Sequence, residues 1–291
     1  MKHLHLSGLT HKVKTLFLSE HNRRLIHPLP GLTLLRSTEP TQLEATLYEP
    51  VICLILQGRK ETTIGERTLS FGAGESLIVS HDLPVVSQIT EASPDKPYLA
   101  LIFAIDLALL RSLYEQVAEY ELESNPVQSL AVHATDKAMI DALERYLDLM
   151  GKPLEEKILS PLLFKEIHFR LLIAEHGGML RQLLWHDSHA SRISRAIDFL
   201  RKNFLSPLSI PDLARHVGMS ASSFYKHFKT ITGTTPLQYQ KDLRLLEANR
   251  RLLQGGNSVS RIAFDVGYES PTQFSREYSR KFGYSPRKRS L

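Results

Sequence analysis

Two stretches of this 291-residue chain set hydrogen-bonding side chains at helical spacing. In SSFYKHFK, Ser222, Lys226 and Lys229 fall opposite Phe224 and Phe228, with Tyr225 at the flank. In PTQFSREYS, Thr272, Arg276 and Ser279 fall opposite Phe274 and Tyr278, flanked by Gln273 and Ser275. Residues three or four apart share a helix face, so each stretch is apolar on one side and polar on the other. Hydroxyls, an amide and cations on such a face can bond to base edges in a DNA major groove. A guanidinium or ammonium suits guanine or phosphate, and a glutamine suits adenine. On an isolated helix the same residues would be an ordinary solvated face.

Recurrence lifts the pattern above that reading. DLARHVGMSASSFYKHFKTITGTTP at 212–236 is echoed by RIAFDVGYESPTQFSREYSRKFGYSP at 261–286. Ala214/Ala263 and Gly218/Gly267 are offset by 49; Phe224/Phe274, Phe228/Tyr278, Gly233/Gly283 and Pro236/Pro286 are offset by 50. Each copy spells a helix, a tight turn and a second helix. Ser209 and Ser220 suit the N-caps of the first copy, and Gly218 suits the left-handed position that ends its first helix. Ser258, Gly267 and Ser270 repeat this in the second copy, where Pro271 takes N1 and Gln273 N3. Two helix-turn-helix units are predicted, with Ala214 and Ala263 where paired helices approach closely.

Between the copies, PLQYQKDLRLLEANRRLL predicts a helix from Pro236 to Leu253 with Leu245, Ala248 and Leu252 on one stripe. Its basic residues are Lys241, Arg244, Arg250 and Arg251. Eighteen residues span about 27 Å at 1.5 Å each. Successive major-groove faces lie roughly 34 Å apart, so one chain could set both reading helices on one side of a duplex.

Charge follows the same division. Residues 191–291 hold 18 Lys and Arg against 7 Asp and Glu, a net of +11, while residues 1–190 carry −6. The C-terminal part suits a polyanion and the rest does not. The N-terminal part reads differently. From Gly31 to Ile105, runs such as GLTLLRST, VICLILQG, GESLIVS and PYLALIFAI are punctuated by Gly58, Gly65, Gly72 and Gly74. That is an all-β pattern, a small antiparallel barrel or sandwich. From Asp106 the period turns helical, and helices are expected over 136–150, 156–175 and 178–186, with breaks at Gly151, Pro153 and Gly177-Gly178. The division is a segment over 1–30, a β domain over 31–105, a helical connector over 106–190 and a DNA-binding domain over 191–291. The connector's apolar stripes are core, or the seam of a homodimer.

Other chemistries are poorly supplied. A metal-bearing β-barrel would need several histidines, yet His81 is the only one between Pro28 and Ala131, leaving Asp82, Glu75 or Glu61 to complete a site. The pairs His3/His5 and His186/His189 lack further ligands. Cys53, the one cysteine, excludes an internal disulfide and fits a small apolar strand residue or a reactive sensor. His81 and Asp82 at a strand end could line a pocket with Cys53. Phosphate-cradling glycine loops are missing, so ATP and NAD are not expected. No cofactor, catalytic residue or metal is expected, and no apolar run of 18 residues suggests a membrane span.

The stretches VGMSASSFYKHFK, GTTPLQYQ and SVSRIAFDVGYESPTQFSREYSRKFGYSP resemble the AraC/XylS family of bacterial transcription regulators over residues 192–290. By that resemblance Ser222, Tyr225 and Lys226, then Pro271, Thr272, Gln273, Ser275 and Arg276, face DNA. Ser222 is small where larger residues often sit, which leaves Tyr225 and Lys226 as the first unit's main readers. PGLTLLRSTEPTQ, TLYEPVICLILQGRK, GAGESLIVSHDLPVVSQ, EASPDKPYLALIF and GGMLRQLLWHDS resemble the family's N-terminal module. The resemblance implies a cupin-like β-barrel, making an α+β two-domain protein whose C-terminal half is an all-α double helix-turn-helix. The single cysteine suits a reducing cytoplasm, and the resemblance implies an activator rather than a repressor, with promoter DNA, RNA polymerase and a small-molecule effector as partners. The rival reading, a cupin-type enzyme or a DNA-repair methyl acceptor using Cys53, needs a metal triad or several further cysteines that the sequence lacks.

Overall fold

The computed structural model describes residues 2–20, 23–117, 120, 128–174, 177–185 and 187–289. His186 and the side chains of His3 and His5 fall outside it. A six-stranded antiparallel sheet has the order β1 (Leu25–Leu29), β2 (Leu32–Ser37), β9 (Tyr98–Ala104), β4 (Val51–Gln57), β7 (Glu75–Val79), β10 (Leu130–Ala134). Facing it is a four-stranded sheet in the order β3 (Glu44–Tyr48), β8 (Leu83–Glu91), β5 (Arg59–Ile64), β6 (Arg67–Gly72). The two sheets share no strand pairing, so the expected closed barrel is instead an open pair of packed sheets. Alternation explains the packing: Ile52, Leu54, Leu99, Leu101 and Phe103 point away from the second sheet, and Cys53, Ile55, Tyr98 and Ala100 point toward it. Helices bury the outer face, which is why β4 and β9 read as unbroken apolar runs.

Those covering helices are α1 (Lys2–Ser19), α2 (Leu107–Gln116), α3 (Lys137–Leu147), α4 (Pro153–Ile173) and α5 (Gly178–Leu184). α1 lays Leu9, Val13 and Phe17 on the sheet, all nearly fully buried. Asp106 caps α2 by accepting from the Ala108 and Leu109 amides, and Asp136 caps α3. Pro153 stands at the start of α4, where its missing N–H costs nothing, rather than breaking a helix.

The C-terminal domain consists of α6 (His189–Asn203), α7 (Ile210–His216), α8 (Ala221–Thr232), α9 (Pro236–Gln254), α10 (Val259–Asp265), α11 (Pro271–Phe282) and α12 (Pro286–Arg289). Two cores divide it. Ile193, Ala214, Phe224, Phe228 and Leu243 belong to the first, and Leu245, Ala248, Ala263, Phe274 and Tyr278 to the second. α9 contributes to both. With 19 residues it is about 28 Å long.

Candidate nucleic-acid interface

Each unit is built by local chemistry that repeats. Ser209 and Ser220 accept hydrogen bonds from the Asp212 and Ser223 amides, and Ser258 and Ser270 from those of Arg261 and Gln273. α7 and α10 both end on a glycine with positive φ, Gly218 at 71° and Gly267 at 86°. The amides that follow return to the alanines: Met219 N–H donates to the Ala214 carbonyl at 2.9 Å, and Tyr268 N–H to that of Ala263 at 3.0 Å. This 6→1 bond fixes the angle between paired helices. Ala214 and Ala263 are 1% and 0% exposed, so no larger side chain fits at either crossing.

The turn geometry leaves α8 and α11 with one face inward and one face out. Phe224, Phe228, Phe274 and Tyr278 are fully buried. Ser222, Tyr225, Lys226 and Lys229 are exposed on α8, and Thr272, Gln273 and Arg276 on α11. Pro271 and Ser275 are half-buried; the Ser275 hydroxyl donates to the Pro271 carbonyl at 2.8 Å, which occupies it within its own helix. The Gln273 amide donates to Glu277 Oε1 at 3.1 Å, and the residue itself is exposed. Among the described residues Lys226, Lys229 and Arg276 make no ion pair.

The basic residues of α9 behave otherwise. Lys241 pairs with Glu277 at 2.9 Å, and Arg250 and Arg251 both pair with Glu247 at 2.7 Å. Hydrogen bonds from both arginines hold the Glu247 carboxyl below its ordinary range, against partial burial. Arg244 donates to the carbonyls of Phe204 at 2.8 Å, Leu205 at 3.2 Å and Ser206 at 3.3 Å in the first unit, and of Gly267 at 2.8 Å in the second. It is a tie between units, and nothing in its residue type distinguishes it from a phosphate contact.

Strand β3 touches both units. Leu47 packs on the first core and Ala45 on the second, and Leu43 lies beside Gly283 at the end of α11. Tyr48 faces the other way, onto the core between the sheets. The β domain is bonded to the first unit as well: Ser129 N–H donates to the Ile231 carbonyl at 3.0 Å, and Tyr239 Oη to the Asp82 carbonyl at 2.8 Å.

The three residues grouped as a pocket are not brought together. Cys53 is buried between the sheets, and burial pushes its thiol up, away from a reactive thiolate. His81 and Asp82 lie at the seam between domains. The carboxylate of Asp82 pairs with Arg201 of α6. His81 Nε2 donates to the Ala190 carbonyl at 3.3 Å, leaving Nδ1 to accept from the Ser80 and Ser129 hydroxyls at 2.9 and 3.0 Å.

Comparison with known proteins agrees with this architecture. Residues 28–179 match the family described as AraC-type transcriptional regulator N-terminus, and residues 213–289 match a helix-turn-helix domain. The HTH-type transcriptional activator RhaS of Yersinia pestis (strain Pestoides F) is 32% identical over 125 residues, covering 40% of this chain and 46% of RhaS. The chain thus spans about half the length of its RhaS relatives. The virulence regulon transcriptional activator VirF of Yersinia enterocolitica is 21% identical over 233 residues, covering 80% of this chain and 86% of VirF. Among solved structures, ToxT from Vibrio cholerae superposes with a TM-score of 0.55 at 12% identity, covering 88% of this chain and 96% of ToxT, which is a likeness of fold. With more than half of its length matched by the N-terminal family and a double helix-turn-helix behind it, the chain belongs to the AraC-type transcriptional regulators.

Proposed function

We propose that this regulator activates transcription by setting α8 and α11 in adjacent major-groove segments of promoter DNA. Occupancy of the β domain by a small molecule would tune that placement. The observation that carries the reading is the pair of equivalent exposed faces, with unpaired Lys226 on one and unpaired Arg276 on the other, mounted on a single 19-residue helix. Tyr225, Lys226 and Lys229 read or grip in the first groove. Thr272, Gln273 and Arg276 do so in the second, with Ser222, Pro271 and Ser275 as close flanking contacts.

β3 supports the coupling. Neighbouring residues of a strand face opposite ways, so Tyr48 meets the space between the sheets while Ala45 and Leu47 seat in the two DNA-binding cores. A ligand that shifts this strand presses on both units at once. RNA polymerase beside the bound protein completes activation, and the cytoplasm is where these partners meet. A homodimer would cover Leu154, Ile158 and Leu162, which recur every fourth residue of α4 and stand exposed. Ile158→Glu should leave a monomer in sedimentation while DNA reading persists.

Genome-wide mapping of bound sites, paired with transcription from the neighbouring genes, tests the function. Reproducible sites sharing two short motifs about one helical turn apart, with expression falling when the protein is deleted, are expected. Binding without sequence preference would overturn the reading.

A further inference from the structure

The duplication extends beyond the paired helices. Ile193, Ala196 and Leu200 of α6 pack on the first core as Leu245, Ala248 and Leu252 of α9 pack on the second, each pair 52 residues apart. Arg192 and Arg244 keep that offset and make the same bond: the first donates to the Gly218 carbonyl and the second to that of Gly267. Each unit is therefore three helices, with α6 and α9 as counterparts.

In this register His189 on α6 answers to Lys241 on α9, and His227 on α8 answers to Glu277 on α11, 50 residues on. The same place in each unit holds a different chemistry. In the second, Glu277 is half-buried and its carboxylate accepts from Lys241 Nζ at 2.9 Å, Gln273 Nε2 at 3.1 Å and Tyr268 Oη at 2.9 Å. Burial opposes its charge, but those three bonds outweigh it and hold the carboxyl below its ordinary range. In the first, Met219 and Ser223 stand where Tyr268 and Gln273 do. The half-buried His227 ring stacks on His189, with centroids 3.6 Å apart and planes at 17°. Burial, then positive charge on His189 and Lys226, pushes the His227 imidazole below its ordinary 6.5. Asp187, ahead of α6, is engaged by Arg192 at 3.9 Å and Arg195 at 3.6 Å, so acid adds charge to a place already rich in cations.

We propose that this position fastens α8 to α6 and α11 to α9, and that its two chemistries make the units respond differently to acid: the first loosens its grip on DNA and the second does not. Neutral imidazoles stack face to face, whereas protonated ones repel at that distance. The contribution of the stack is intact above pH 6.5 and is lost as pH falls below it, because the folded protein resists a proton that the unfolded chain accepts. The Lys241–Glu277 pair keeps its opposite charges through the same range. His227 and Glu277 are thus positioning residues, acting through the helices that carry Lys226 and Arg276. The inference rests on the reading of α8 and α11 as the helices that enter DNA.

Guanine-methylation interference with the full-length protein on a mapped operator is read at about pH 7.5 and about pH 5.8, either side of the ordinary imidazole value. The cluster that Lys226→Ala weakens should lose about threefold or more in strength relative to the other at the lower pH. His189→Lys combined with His227→Glu installs the second unit's ion pair in the first, and the ratio of the two clusters should then hold across the range. His227→Gln keeps a polar side chain that takes no proton, so its ratio should also be indifferent to pH, which covers a double variant that folds poorly. A wild-type response that survives in both variants would overturn the proposal. So would first-unit binding that tightens in acid and stops doing so in His227→Gln, since His227 would then be a phosphate contact. If wild type shows two clusters whose ratio is the same at both pH values, the DNA reading stands and this inference falls. If no paired clusters form at either pH, the DNA reading has failed and the inference with it.

Discussion

Lys226 and Arg276 matter because their charges are unspent. Every basic side chain of α9 with a mapped partner is already committed, whereas these two end in solvent on helices whose opposite sides are locked by buried aromatics. Lys226→Ala or Arg276→Ala should weaken operator binding by about 1 to 3 kcal/mol, measured by titration at fixed salt, while the melting temperature holds. Arg244→Ala should do the reverse. It strips donors from carbonyls in both units, each left partly buried and unsatisfied, so calorimetry should show a loss of about 1 to 3 kcal/mol of stability. The outward positions on α8 and α11 were legible from helical spacing against the aromatics. The role of Arg244 was not, because an arginine on a basic helix looks the same whether it meets phosphate or a turn carbonyl. His81 and Asp82 misled for a related reason: a strand-end pair predicts a polar neighbour but not which domain provides it.

At the scale of elements, capping chemistry made the repeat readable almost to the residue. Serines, positive-φ glycines and Pro271 are local determinants, and α7, α8, α10 and α11 follow them. The small alanines are the most exacting of these features. Ala263→Leu should overpack the crossing of α10 and α11, costing about 1 to 3 kcal/mol in unfolding and lowering DNA affinity along with it, unlike the surface changes. Seven of the strands announced themselves as apolar or alternating runs, but β1, β3 and β10 did not. EATLY in β3 shows why. Its faces meet solvent, the core between the sheets and another domain's cores, so no single alternation of apolar and polar residues survives. α1 hid for a different reason: its stripe of Leu6, Leu9, Val13 and Phe17 keeps helical spacing, but Leu16 and the exposed Leu18 spread apolar residues beyond it, and only the sheet beneath reveals the face.

For the whole molecule, two domains with opposite charge meet at a seam of specific polar contacts, which composition and periodicity could not foresee because those contacts join residues over a hundred positions apart. Barrel closure was equally invisible, since strand runs look alike whether or not the sheet edges pair. The seam should be sensitive to acid. Burial pushes the His81 imidazole down to about 4 from an ordinary value of 6.5, although its bond to Ala190 pulls the other way. The folded state therefore binds fewer protons than the unfolded one. The stability this histidine contributes is intact above pH 6.5 and is lost progressively as pH falls through 6.5 toward 4, by about 3 kcal/mol in all. Melting curves across that window should show the slope, and His81→Gln should flatten it.

The central claim is that one chain reads DNA with two equivalent helices. Guanine-methylation interference on a mapped operator, compared among wild type, Lys226→Ala and Arg276→Ala, tests it most directly. The account predicts two clusters of interference in the major groove, about 10 base pairs apart, one weakened selectively by each substitution. A single cluster, or two clusters that respond identically to both substitutions, would contradict it.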